Sequence, residues 1–394
     1  MNIMKTEFWC HLRKKKFALL DGTLVSKSRK LQGIHGLRAI AALVVLFTHA
    51  GSIIQMMGYS PSDLTLVATL NNIGVTGVHL FFVLSSFSLA NSITLTSNGI
   101  YEYGIKRFFR IAPLFYLLLV FQLLWKGPIG AEHHQLNEIL LNFSFLFNFI
   151  PNLSTGIVYG GWTIGVEMIF YALLPFILLM CRNINHYYIL APLGLLISWA
   201  SHIAISESNP TAHLNPFTNY ATFSFIANIA PFFIGLLAFG LYKKFPSNCW
   251  VARISILIAL GLIFILFYTS LQGEFDTPGR PAHLILYTAY GLICLSQSIR
   301  PSWVTANVAM QYLGKRSFSI YLVQLPLMWI ITPLYSPIIN NFGGYTLQTY
   351  LTCAALTFIL VIAVSELTYR LVEIPGVNIG RAIIAKRRSK WAAC

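Results

Sequence analysis

Residues 138–150, EILLNFSFLFNFI, decide the topology of everything that follows them. The run carries Asn142 and Asn148 and stops at Pro151. A helix needs about 20 apolar residues to cross about 30 Å of hydrocarbon, and a run of about 10–14 is more often re-entrant or interfacial. On both sides of it lie ten longer apolar runs, near 34–57, 73–92, 111–125, 164–181, 187–205, 221–242, 252–271, 282–299, 317–335 and 347–368. Loops on the cytoplasmic side of a membrane are enriched in Lys and Arg. With ten crossings, Lys106/Arg107/Arg110, Arg182, Lys243/Lys244/Arg253, Arg300/Lys315/Arg316 and the basic end from Arg381 to Lys390 fall on the side of the N-terminal segment. Lys126 and Arg280 fall opposite. Making 138–150 an eleventh crossing moves Arg182, Lys243, Lys244 and the basic end to the outside, so the charges predict a non-spanning element there. The expected architecture is all-α: a polytopic bundle of about ten transmembrane helices with both termini cytoplasmic.

Composition agrees with a chain that lives in lipid. Of 394 residues, 56% are hydrophobic and 10% charged, against roughly 25% charged in an ordinary soluble domain. The formal charge of +15 sits in short clusters between apolar runs; with no reading motif beside them, they point away from nucleic acid. Residues 1–30 hold Arg13 to Lys16, then Lys27, Arg29 and Lys30, without a continuous apolar core or small-residue cleavage site. They read as a retained basic cytoplasmic tail, followed by a membrane domain over 31–372 and a second basic tail over 373–394. The six cysteines (Cys10, Cys181, Cys249, Cys294, Cys353, Cys394) show neither CxxC nor Cys/His spacing, so no metal site or disulfide framework is expected.

Ionisable groups inside apolar runs are expensive and are functional candidates. The first run, IHGLRAIAALVVLFTHAG (34–51), carries His35, Arg38 and His49. Eleven residues turn a helix by about 1100°, about 20° past three full turns, so Arg38 and His49 share a face about 16 Å apart along the axis. Arg38 has two readings, a snorkelling anchor or a site residue. His49 also has two, a helix–helix hydrogen-bond partner or a neutral imidazole ready to take a proton. In the second run His79 and Ser86 share a face. Ser85 and Ser86 read as small residues for close packing, because no G-x-S-x-G elbow surrounds them. Glu167, in GWTIGVEMIFYALLP, is either a helix-dipole partner or a buried carboxylate orienting an imidazole. Glu366 and Glu373 beside Arg370 read as a structural ion-pair group. Spacing alone leaves two functions open, a transferase with a general base and a secondary transporter with a His/Glu/Arg relay.

Six segments in order resemble the acyltransferase-3 family: IHGLRAIAALVVLFTHA, GVHLFFVLSSFSLA, YGIKRFFRIAPLFYL, WTIGVEMIFYALLPFIL, LGKRSFSIYLVQLP and ELTYRLVEIPGVNIGR. The similarity covers roughly 31–385. It implies a ten-span helical bundle moving an acyl group, usually acetyl from acetyl-CoA, onto a hydroxyl of a glycan, lipid-linked sugar or small molecule. It further implies a bacterial-type inner-membrane location, contact with membrane lipid and no permanently bound cofactor. Carried over residue by residue, it implies Arg38, His49 and Glu167 as catalytic, with Lys106, Arg107 and Arg110 on the donor side. The chain departs from the family pattern at His35, His79, Ser86 and Gln324. The hydrolase-like domain of some members is not recognised here, so transfer is expected to be completed within the membrane domain.

Overall fold

The computed structural model describes residues 32–60, 74, 76–95, 100–125, 134–181, 183–208, 220–271 and 281–392. The basic segment 1–30, Lys126, Arg182 and Arg280 lie outside the described residues. What is described is helical, with no extended strand among those residues. Lipid offers no partner for a free backbone N–H or C=O, and a helix satisfies them within one segment.

The helices are α1 Gln32–Met56, α2 Gly77–Leu95, α3 Ile100–Leu124, α4 Leu136–Phe143, α5 Trp162–Met180 and α6 Ile184–Ser208. There follow α7 Ile229–Lys244, α8 Cys249–Leu271, α9 Pro281–Ile299, α10 Val308–Asn341, α11 Leu347–Thr368 and α12 Ile374–Ala392. Among the described residues, eight helices are long and apolar enough to cross a membrane. The apolar stretch of α2, Gly77–Ile93, and the 16-residue α7 are shorter. The molecule is a polytopic helical membrane protein. Helices α1 and α9 are its most enclosed long helices, and α6 and α8 its least. Residues such as Leu257, Leu260 and Phe264 on α8 face outward, as expected of a lipid-facing surface.

The deciding segment is not a span. Helix α4 has eight residues, about 12 Å of rise. The chain then turns through Phe145 at φ 60° into short 3₁₀ turns at Phe147–Phe149 and Pro151–Leu153. The two asparagines satisfy this irregular backbone. Asn142 Oδ1 accepts from Ile157 N (3.0 Å). Asn148 Oδ1 accepts from Phe225 N (2.8 Å) and its Nδ2 donates to Phe223 O (2.7 Å). Phe147 is fully buried, against Phe115 of α3.

Several boundaries differ from the apolar runs. Helix α3 begins at Ile100 instead of near 111, so Lys106, Arg107 and Arg110 ride on a helix where a loop was expected. Helix α7 begins at Ile229 instead of near 221. Asn148 holds the preceding backbone, and Asn228 Nδ2 donates to Thr222 O (2.7 Å) and Ser224 O (2.9 Å), breaking the helix there. The segment after 373, read as a tail, is helix α12 packed along α3. A Cβ on Gly376 or Gly380 would press on Pro113 or Phe109, and Arg388 makes two 2.7 Å bonds to Glu102.

The packing of α1 against α10 positions the site. Gln311 Nε2 donates to Gln32 O (2.7 Å) across 279 residues of sequence. At the same offset Gly314 meets the His35 backbone so closely that any Cβ would collide with it. At the same offset again, Arg38 and Ser317 line one pocket. The two helices therefore run parallel and in register, which small residues at the contact permit.

Candidate active site

Arg38 points from α1 into a cavity of about 700 Å³, its open mouth included, walled by α2, α3, α5 and α10. Ser85, Arg107, Arg110, Glu167, Tyr171 and Tyr321 supply most of its polar lining. On α5, Thr163, Glu167 and Tyr171 recur every four residues and so share a face.

The Glu167 carboxylate is buried and accepts a 2.6 Å hydrogen bond from Ser85 Oγ. Arg38 and Arg107 are near enough for their charges to act on it. One turn from Glu167, Thr163 Oγ1 donates to Tyr321 Oη (3.1 Å), and Tyr321 Oη donates to Gly160 O (3.2 Å). Gly160, at φ +74°, takes the left-handed turn that aims its carbonyl at this tyrosine. On the other rim, Arg110 pairs with Glu373, which also accepts from Ser319. The Glu373 side chain is completely buried. It sits in a π-helical turn, Tyr369–Glu373, between α11 and α12; such bulges re-aim side chains and recur at functional sites.

The cations are unevenly paired. Arg110 has its carboxylate. No hydrogen bond or ion pair joins Arg38 or Arg107 to a described residue, and Arg107 Nε is buried without a partner. Enclosed charges are stable when paired, so two guanidiniums facing one cavity with a single carboxylate between them favour an anionic or strongly hydrogen-bond-accepting ligand.

The structure brings Arg38, Arg107, Arg110 and Glu167 together and leaves two other candidates apart. Lys106 is outside the pocket, 3.8 Å from Glu102. His49 lies three turns further along α1, and its Nδ1 is buried without a partner. The expected carboxylate–imidazole contact is absent: Glu167 is held by Ser85, and the rise between Arg38 and His49 keeps the imidazole about 16 Å along the axis. His79 Nε2 bonds Asn228 Oδ1 (3.1 Å). Ser86 bonds Val83 O (3.0 Å), where a Cβ on Gly235 would collide with it, which is the packing role. Ser85 does not share that role. In sequence it is indistinguishable from its neighbour; the signal that separates the two is the polar stripe on α5, which needs a partner. Glu366 binds Arg316, Arg370 and Tyr312, whereas Glu373 belongs to Arg110. Among the described residues no group of three His, Cys, Asp or Glu is placed to hold a metal.

Residues 31–370 match the family model described as an acyltransferase domain. The chain belongs to the acyltransferase-3 family. It is an integral membrane acyltransferase, and membership decides for transferase chemistry over the transporter reading. ORF330 of Acidianus two-tailed virus, provisionally named an acetyltransferase, is 26% identical over 322 residues, covering 77% of this chain and 88% of its own. The peptidoglycan O-acetyltransferase OatA of Listeria monocytogenes serovar 1/2a is 23% identical over 377 residues, 88% of this chain and 56% of OatA. YrhL of Bacillus subtilis, provisionally named a peptidoglycan O-acetyltransferase, is 22% identical over 383 residues, 88% of this chain and 55% of its own. The chain thus spans about half the length of these two bacterial family members. No solved structure matches it.

Proposed function

We propose that this protein is an O-acetyltransferase of a bacterial inner membrane, taking acetyl from acetyl-CoA on the cytoplasmic side and passing it to a hydroxyl of a glycan or lipid-linked sugar. The observation that carries the reading is the pair of unpaired guanidiniums, Arg38 and Arg107, facing one cavity. Phosphate groups are the natural partners of such a pair. The names of the three relatives favour acetyl, and two of them favour a peptidoglycan-like acceptor. The ten helices other than α4 and α12, the shorter α2 and α7 among them, form the ten crossings of the expected topology, with both termini cytoplasmic.

Length supports a CoA-type donor. Its arm has roughly thirteen bonds between phosphorus and sulfur; an extended chain advances about 3.3–3.6 Å per three bonds, so the arm reaches about 15 Å. The rise from Arg38 to His49 is about 16 Å. With its phosphates held by Arg38 and Arg107, and Arg110 braced behind them by Glu373, an extended arm brings the thioester to His49. There the imidazole takes the acceptor's hydroxyl proton and the oxygen attacks the thioester carbonyl. The C–S bond breaks, and the departing sulfur takes the proton back from His49. Glu167, fixed by Ser85, balances charge beside Arg38 and Arg107.

The test is purified protein in detergent with labelled acetyl-CoA and a panel of glycan acceptors. Acetylated product formed without any membrane gradient supports the reading. Absence of both acetyl-CoA binding and product across the panel overturns it.

A further inference from the structure

Gln324 is completely buried in α10, and neither its Nε2 nor its Oε1 has a hydrogen-bond partner. A primary amide left this way loses its hydration at both ends, and native proteins rarely keep one without a reason. Its position is informative. Ser317 and Tyr321, which line the cavity, precede it by seven and three residues, so all three occupy one face of α10. Because α10 runs parallel to α1 with Ser317 level with Arg38, Gln324 stands about 10 Å along the axis from Arg38, between the levels of Arg38 and His49.

This inference rests on the acetyl-CoA reading and goes beyond it. A side-chain amide with a vacant donor and a vacant acceptor complements one group above all, a second amide offering C=O and N–H together. The arm of CoA has two. Counting from phosphorus, the second, on the cysteamine side, begins after roughly nine bonds, about 10–11 Å at the advance of an extended chain. That matches the level of Gln324.

We propose that Gln324 is a specificity-determining residue that pairs with the cysteamine-side amide of the donor arm, as the arm runs along α1 from Arg38 towards His49. The protein without donor pays with an unsatisfied amide, and the bound donor satisfies it. Arms of similar length without that amide leave Gln324 orphaned and are rejected, the situation in which a polar site discriminates most strongly.

The test is binding of two ligands to the full-length protein in detergent: acetyl-CoA, and its analogue with the cysteamine-side amide replaced by two methylenes. Wild type is expected to bind the analogue about 10- to 100-fold more weakly. Gln324→Leu is expected to bind acetyl-CoA more weakly by a similar factor and to discriminate between the ligands by less than about twofold. Its donor-free melting temperature should equal or exceed that of wild type, because an orphaned amide has been removed. Equal discrimination by variant and wild type overturns the proposal and leaves the acetyl-CoA reading standing. A variant that melts well below wild type also overturns it, since the amide then serves the fold. Wild type that does not bind acetyl-CoA overturns both.

Discussion

Arg107 and Arg110 stand one helical turn apart on α3 and line the same cavity, yet their separate replacement by Gln should have different consequences. Arg110 is bound to a carboxylate whose side chain is completely buried. Removing one partner of a buried pair typically costs about 3–5 kcal/mol. We expect the lower end, about 3 kcal/mol, because Ser319 still donates to Glu373 and the Arg110 side chain is itself 32% exposed. Arg107 has no hydrogen bond or ion pair to lose and acts on Glu167 only at a distance, so Arg107→Gln should change stability by less than about 1 kcal/mol. Its loss should fall on the donor: a charge-assisted hydrogen bond contributes about 1.5–3 kcal/mol, or about 10- to 150-fold in the dissociation constant for acetyl-CoA. The assays are thermal melting in detergent and equilibrium binding of acetyl-CoA on matched preparations. Glu373→Gln should reproduce the melting defect of Arg110→Gln, and the double variant should cost less than the two single losses added together. The reasoning fails if Arg107→Gln melts as low as Arg110→Gln, or if it binds acetyl-CoA as tightly as wild type does.

Three further outcomes are expected. His49→Ala should lose about 10²–10⁴-fold in acetyl transfer, the usual contribution of a positioned proton-transfer group, while His35→Ala and His79→Ala lose less; near-normal transfer by a stably folded His49→Ala removes the proposed base. Ser85→Ala should slow transfer about tenfold by removing the hydroxyl that holds Glu167 in place, whereas Ser86→Ala, on the packed side of α2, should leave turnover within about twofold; equal effects of the two would contradict the division of labour between them. Topology reporters fused after Lys244 should read cytoplasmic and those after Trp125 external; external readings at both sites, as an eleventh crossing at 138–150 would give, refute the ten-span arrangement.

Helical periodicity, loop charge and run length are properties of nearby residues, and they were readable without coordinates. The 138–150 run is the clearest case. Its length and its two asparagines marked it as non-spanning, and the same asparagines satisfy its irregular backbone in the structure. The shared face of Arg38 and His49 was likewise legible, since it follows from turns of a single helix. Pairing between helices was not. Ser85 and Ser86 are adjacent and chemically identical, and only the packing of α2 between α5 and α7 sends one to Glu167 and the other against Gly235. Glu373 is close to Arg370 in sequence, yet the π-helical turn aims it at Arg110 on α3. The contact expected between Glu167 and His49 failed for the same reason: residue types suggest which groups suit one another, while the depth at which each helix enters the bundle decides which of them meet. Gln324 shows this most simply. The sequence places a glutamine in an apolar helix, and only the register of α10 against α1 gives its unpaired amide a level between Arg38 and His49.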